Sequence, residues 1–205
     1  MKRLDKEVRE PKQKRSIEKK ERILSAAQNL FMEKGYFDMT TVEIAKAAGL
    51  STGTVYAYFK DKKDILLECL STNGDNYVKQ ITDELSKFSQ DKNLFNTIKN
   101  ILKIFIQLHT TYPKKYHDEL MSLVYTDEDI MKYFKNMKTV LMNAVLTQLK
   151  NSAIELKHEK EQSFLMYSLI ENIEDELVFN INPELNKDVL LDECTRVIVA
   201  MLQEK

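Results

Sequence analysis

Glycine is nearly absent from this chain, and where it does occur decides what the chain can build. The 205 residues hold four glycines, Gly35, Gly49, Gly53 and Gly74, and none follows Gly74. The only prolines are Pro11, Pro113 and Pro183. A long glycine-free stretch rich in Leu, Ile, Lys and Glu offers few tight turns and favours helix throughout. No run alternates apolar and polar residues between turn signals, so no strand is expected. The fold expected is all-α.

Caps mark most helix ends. Ser16 is a good N-cap for a first helix to about Lys34, with Ile23, Ala26, Ala27, Leu30 and Phe31 along one face and Gly35 as C-cap. Thr40 with Glu43 three residues on is a capping box for a short second helix, which Gly49 stops after Ala48. Ser51 caps a third helix through about Tyr58. A long helix is expected from Lys62 toward Lys87, although Ser71, Thr72, Asn73 and Gly74 disfavour its middle. Later helices are expected near 92–112, 114–124, 127–157, 160–181 and 186–204, with Pro113 opening one and Pro183 following another.

Two short helices joined at a glycine suggest a helix-turn-helix. Ala45 is small where the two helices cross, and Gly49 can take the left-handed conformation a tight turn needs. Ile44, Ala48, Leu50, Val55 and Phe59 supply the buried side. The third helix is left with an outward set of Ser51, Thr52, Gly53, Thr54, Tyr56 and Tyr58. The tip of such a recognition helix meets base edges in the major groove. There Thr52 and Thr54 can exchange hydrogen bonds or touch a thymine methyl, and Gly53 lets the backbone come close. Tyr56, Tyr58 and Lys62 suit phosphates, and Thr41 opens a helix that can offer N–H groups to another.

Charge divides the chain in the same place. Residues 1–63 carry a net +6 and residues 64–205 a net −7, within a total of −1. A basic head on an acidic body points to a polyanion met by the head alone. The arm of residues 1–15 is itself net +4, with Pro11 discouraging helix, and is read as a flexible basic arm. The domains expected are this arm, a DNA-binding domain over 16–62, and a helical body over 63–205.

The stretch "TTVEIAKAAGLSTGTVYAYFKDKKDIL", preceded by "ILSAAQNLFMEKGYFDMT", strongly resembles the tetracycline-repressor (TetR) family over roughly residues 17–68. The resemblance implies a three-helix DNA-binding domain with contacts from Thr41, Ser51, Thr52, Gly53, Thr54, Tyr56, Tyr58 and Lys62. Ala57 departs from the family pattern, standing where many members place a second aromatic. The resemblance also implies a homodimer that binds a small molecule in its C-terminal part. The function expected is a ligand-responsive dimeric transcriptional regulator, a repressor released from a palindromic operator by a small lipophilic effector. Two alternatives stand beside it: a dimeric helical interaction module without DNA binding, and a constitutive DNA-binding activator.

In the body, Phe105, His109, Tyr112, Tyr116, Met121, Tyr125, Met137 and Tyr167 make an adaptable apolar set with polar handles, and Glu171 is a candidate inward carboxylate. The last helix has six consecutive apolar residues from Val197 to Leu202, so it needs covering on more than one side. A dimer interface is therefore expected from Ile170, Ile173, Leu177, Val197, Ile198, Met201 and Leu202. Nothing points to an enzyme: there is no phosphate loop, no glycine-flanked serine, and a single Glu-x-x-His at 155–158 where a di-iron site needs two. No metal or cofactor is expected. Cys69 and Cys194 form no CxxC pair and are read as small buried hydrophobes. No run reaches membrane-spanning length, and the protein is expected in the cytoplasm.

Overall fold

The computed structural model describes residues 14–91 and 93–204, so most of the basic arm lies outside the described residues. Nine helices and no strand appear among them: α1 (Lys14–Lys34), α2 (Thr41–Ala47), α3 (Thr52–Tyr58), α4 (Lys62–Asp91), α5 (Leu94–Thr110), α6 (Lys114–Thr126), α7 (Glu128–Asn151), α8 (Glu159–Phe179) and α9 (Lys187–Gln203). The all-α expectation holds. None of these helices is long and apolar enough to cross a membrane.

Local chemistry explains most boundaries. Ser51, Asn93 and Asn186 accept backbone N–H groups in the first turns of α3, α5 and α9. Gly35 ends α1 at φ 86° and donates its N–H to the Phe31 carbonyl at 2.9 Å. Two boundaries differ from expectation. Helix α1 already includes Lys14, so Ser16 lies within it and its hydroxyl bonds that of Tyr58 at 2.8 Å. Helix α7 stops at Asn151, well short of 157, where Ala153 turns left-handed at φ 57° and the Ile154 N–H closes on the Leu149 carbonyl at 2.9 Å.

The chain forms two compact units. One takes the described residues up to Asn73 together with Pro113–Tyr133; the other takes Gly74–Tyr112 together with Phe134 onward. The sequence boundary at 62/63 thus differs from the packing, which keeps the start of α4 and all of α6 with the head. In the first unit Ile23, Phe31, Ile44, Val55, Ile65, Leu66 and Ile130 are fully buried or nearly so. In the second, α5, α7, α8 and α9 share a core of Leu102, Leu149, Met166, Leu191, Ile198 and Leu202, and Tyr77, Ile81 and Leu85 of α4 anchor another cluster.

Candidate nucleic-acid interface and effector cavity

The helix-turn-helix is held by bonds within its own loops. Thr40 accepts the Glu43 N–H at 3.2 Å and gives its own N–H to the Glu43 carboxylate at 2.9 Å, the capping box read from the sequence. The same carboxylate takes Lys34 at 2.8 Å, and the Lys34 and Thr40 bonds hold its pKa down at about 2. Gly49 turns the chain at φ 63°, and a Cβ there would sit 2.9 Å from the Arg22 guanidinium. Arg22 donates to the carbonyls of Ala48 and Gly49 at 2.5 and 3.3 Å, fastening the turn to α1.

Among the expected DNA contacts, Ser51, Gly53 and Tyr56 are exposed, while Thr41, Thr52, Thr54 and Tyr58 are partly so. Ser51 caps the Thr54 N–H, and their hydroxyls lie 2.8 Å apart. Thr54 is thereby steered by its own cap, and Thr52 and Tyr56 are the side chains left outward. At the start of α2 the capping box takes up the Thr40 and Glu43 N–H groups, and Thr41 follows the cap as the first residue of the helix.

Lys62 is placed differently from its expected role on phosphate. Its ammonium donates inward to the carbonyls of Tyr36 and Met39 at 2.5 and 2.9 Å and lies 4.3 Å from the Tyr36 ring centroid. Burial pulls its pKa below the usual lysine value, against the opposing pull of Glu119, Asp38 and Glu43. The reason is the loop between α1 and α2, whose carbonyls have no helix partner. Glu119 of α6 completes the cradle from the other side, accepting the Phe37 N–H at 2.9 Å and approaching Gly35 so closely that a Cβ would meet it at 2.6 Å. Lys115 pairs with Asp38, and the Tyr116 ring stacks on Phe31 at 5.8 Å. Lys63 lies between Asp127 and Asp129 at 3.2 and 2.5 Å, bonds that raise its pKa.

The second unit contains a cavity of about 90 Å³. Its wall is aliphatic and aromatic: Ile81 from α4, Ile98, Leu102 and Phe105 from α5, Leu141 and Val145 from α7, Met166 and Ile170 from α8, Ile198 and Leu202 from α9. Tyr77 and Tyr167 also line it, and burial pushes both phenol pKa values up, with carboxylates adding to the effect. Near it, the His109 ring lies 4.4 Å from Phe105 with Nε2 3.0 Å from Glu174, and Lys138 sits 3.5 Å from the Tyr167 centroid and 3.7 Å from Glu171.

Of the residues expected around a pocket, Phe105 and Tyr167 line this one. Tyr116 is buried in the first unit against Phe31, Met121 belongs to that unit, and Tyr125 at 87% exposure points to solvent. Tyr112 and Met137 are partly buried outside the lining, and Glu171 is exposed. Sequence reasoning pointed to Leu141 on α7 but missed Tyr77, Ile81, Val145 and the α9 contributors, although Ile98, Leu102 and Phe105 recur at helical spacing.

The cysteines lie outside both sites. Burial pushes Cys69 up to about 12 and Cys194 to about 11, keeping both as thiols.

Residues 23–69 match the family model described as bacterial regulatory proteins, tetR family. Over that stretch the chain is similar to the tetR family. Over 68 residues it is 43% identical to the HTH-type transcriptional regulator HbdR of Aromatoleum sp., a match covering 33% of this chain but only 30% of that protein. An HTH-type transcriptional regulator of Staphylococcus aureus is 29% identical over 174 residues, covering 76% of this chain and 93% of that protein. Among solved structures, a TetR-family transcriptional regulator from Mesorhizobium loti superposes with a TM-score of 0.70 at 19% identity, covering 92% of this chain and 98% of that one.

The residues expected at a dimer interface divide. Leu177, Ile198 and Leu202 are buried in the core of their own unit, and Ile198 and Leu202 face the cavity. Ile170, Ile173 and Met201 pack partly against that core, and Val197 is 44% exposed. The apolar groups left open on the same helices are Phe164 and Leu165 on α8 and Val189 and Val197 on α9. An all-round apolar run such as 197–202 does not say which side its own subunit covers.

Proposed function

We propose that this protein is a homodimeric, ligand-responsive transcriptional repressor. Its head binds a palindromic operator, with Thr52, Gly53 and Tyr56 at the groove and Thr41, Ser51, Thr54 and Tyr58 around them. A second copy covers the open face of Phe164, Leu165, Val189 and Val197, since one short recognition helix reads too few base pairs alone. A small lipophilic molecule fills the cavity, where Tyr77 and Tyr167 supply the polar handles and each buried methylene contributes about 0.8 kcal/mol. Effector binding favours the dimer form whose recognition helices no longer fit successive grooves. A 100-fold preference for that form corresponds to about 2.7 kcal/mol. The site of action is the cytoplasm, where the DNA is.

The observation that carries this reading is the pairing, in one chain, of a helix-turn-helix with an outward hydroxyl-bearing tip and an apolar cavity in the other compact unit. A gel shift on DNA upstream of its own coding region tests it. A repressor of this kind retards that DNA, and organic extract of the purified protein releases it. Retardation indifferent to the extract favours the constitutive activator, and no retardation at any salt favours the interaction module.

A further inference from the structure

The folded head turns several of its cations inward, which raises the question of what grips the DNA backbone. We propose that the first turns of α1, through Arg15 and Lys19, form a phosphate-binding element flanking the recognition helix. The proposal rests on the reading of this head as a DNA-binding domain.

Two sets of hydrogen bonds fix α1 beside α3. Ser16 and Tyr58 join their hydroxyls at 2.8 Å, at the last turn of α3. Arg22 reaches the carbonyls of Ala48 and Gly49 at 2.5 and 3.3 Å, just before α3 begins. The helix from Ser16 to Arg22, about 9 Å long at 1.5 Å per residue, therefore runs alongside the recognition helix. At about 100° per residue, Arg15 and Lys19 fall on the arc between Ser16 and Arg22, which looks toward α3. Glu18 and Glu21 fall outside it.

Both residues are exposed, and neither has an ion pair among the described residues. Their neighbours are engaged elsewhere: Lys20 with Glu68 at 2.6 Å, Lys34 with Glu43 at 2.8 Å, Lys63 with Asp127 and Asp129, and Lys62 with loop carbonyls. Packed helices stand about 8–10 Å apart and a major groove is about 12 Å wide, so a helix flanking the one in the groove meets the phosphates at its edge. Arg15 can take a phosphate with two parallel N–H bonds, and Lys19 acts as a point charge.

The test is the salt dependence of binding, followed by anisotropy, on labelled duplex from upstream of the protein's own coding region and on a mixed-sequence duplex. Each phosphate contact contributes about −0.9 to the slope of log affinity against log salt. The double variant Arg15→Ala/Lys19→Ala should flatten the slope by about 1.8 on both duplexes, leaving the ratio of the two affinities unchanged. The charge-keeping variant Arg15→Lys/Lys19→Arg should keep the wild-type slope. Lys135→Ala/Lys160→Ala, which removes the same charge from exposed sites in the other unit, should keep it too. An unchanged slope in the first variant overturns the proposal, as does flattening of equal size in the Lys135/Lys160 control. If the wild-type protein binds neither duplex, the DNA-binding reading itself fails and the proposal falls with it.

Discussion

At Gly53 an added Cβ would meet nothing nearer than the Ser51 hydroxyl at 4.0 Å, so the fold itself does not require glycine there. Helix propensity disfavours it by about 1 kcal/mol relative to alanine. Gly53→Ala should therefore raise the melting temperature and weaken DNA binding together; a stabilised variant with wild-type affinity would contradict a close backbone approach at this point. Glu43 makes a second residue-level prediction. Its depressed pKa means that its bonds to Thr40 and Lys34 stabilise the fold fully above about pH 4.5 and are lost as pH falls toward 2. Melts across that window should fall less steeply for Glu43→Gln than for the wild type, and parallel curves would contradict the assignment. Thr40, Glu43, Gly49 and Ser51 were legible because capping and left-handed turns are local chemistry. Lys62 was not, because its partners are carbonyls more than twenty residues away in the chain.

Among elements, α4 and α7 each run through both compact units, and within α4 the border falls at Asn73–Gly74. The helix runs unbroken through this weak stretch, with Thr72 bonding the Glu68 carbonyl at 3.0 Å and Asn73 accepting from Gln28 at 3.0 Å. The bond from Gln28 of α1 thus helps to offset the poor local propensity. We expect Gly74→Ala to stiffen α4 and blunt release of DNA by the effector, and unchanged release in that variant would count against a bending point there. Helices bounded by proline or a cap were placed from sequence within a few residues. The end of α7 was missed because Ala153, not glycine, takes the left-handed position. The cavity was missed for a different reason: its wall comes from five helices, and a stripe within one helix does not say whether it faces a neighbour or a void.

For the whole molecule, the charge split and the resemblance over 17–68 led to the expectation of a basic head on an acidic helical body. The grouping of α6 with the head was not foreseen, because it rests on the meeting of Glu119 with Gly35 and Phe37, which no spacing announces. The account as a whole needs two heads held in register by the open faces of α8 and α9. Hydroxyl-radical footprinting on DNA upstream of the coding region examines this directly. The account predicts two equal protected patches related by a two-fold axis, with centres about 10 base pairs or a multiple of that apart. A single unpaired patch, or a cleavage pattern identical to that of free DNA, would contradict it.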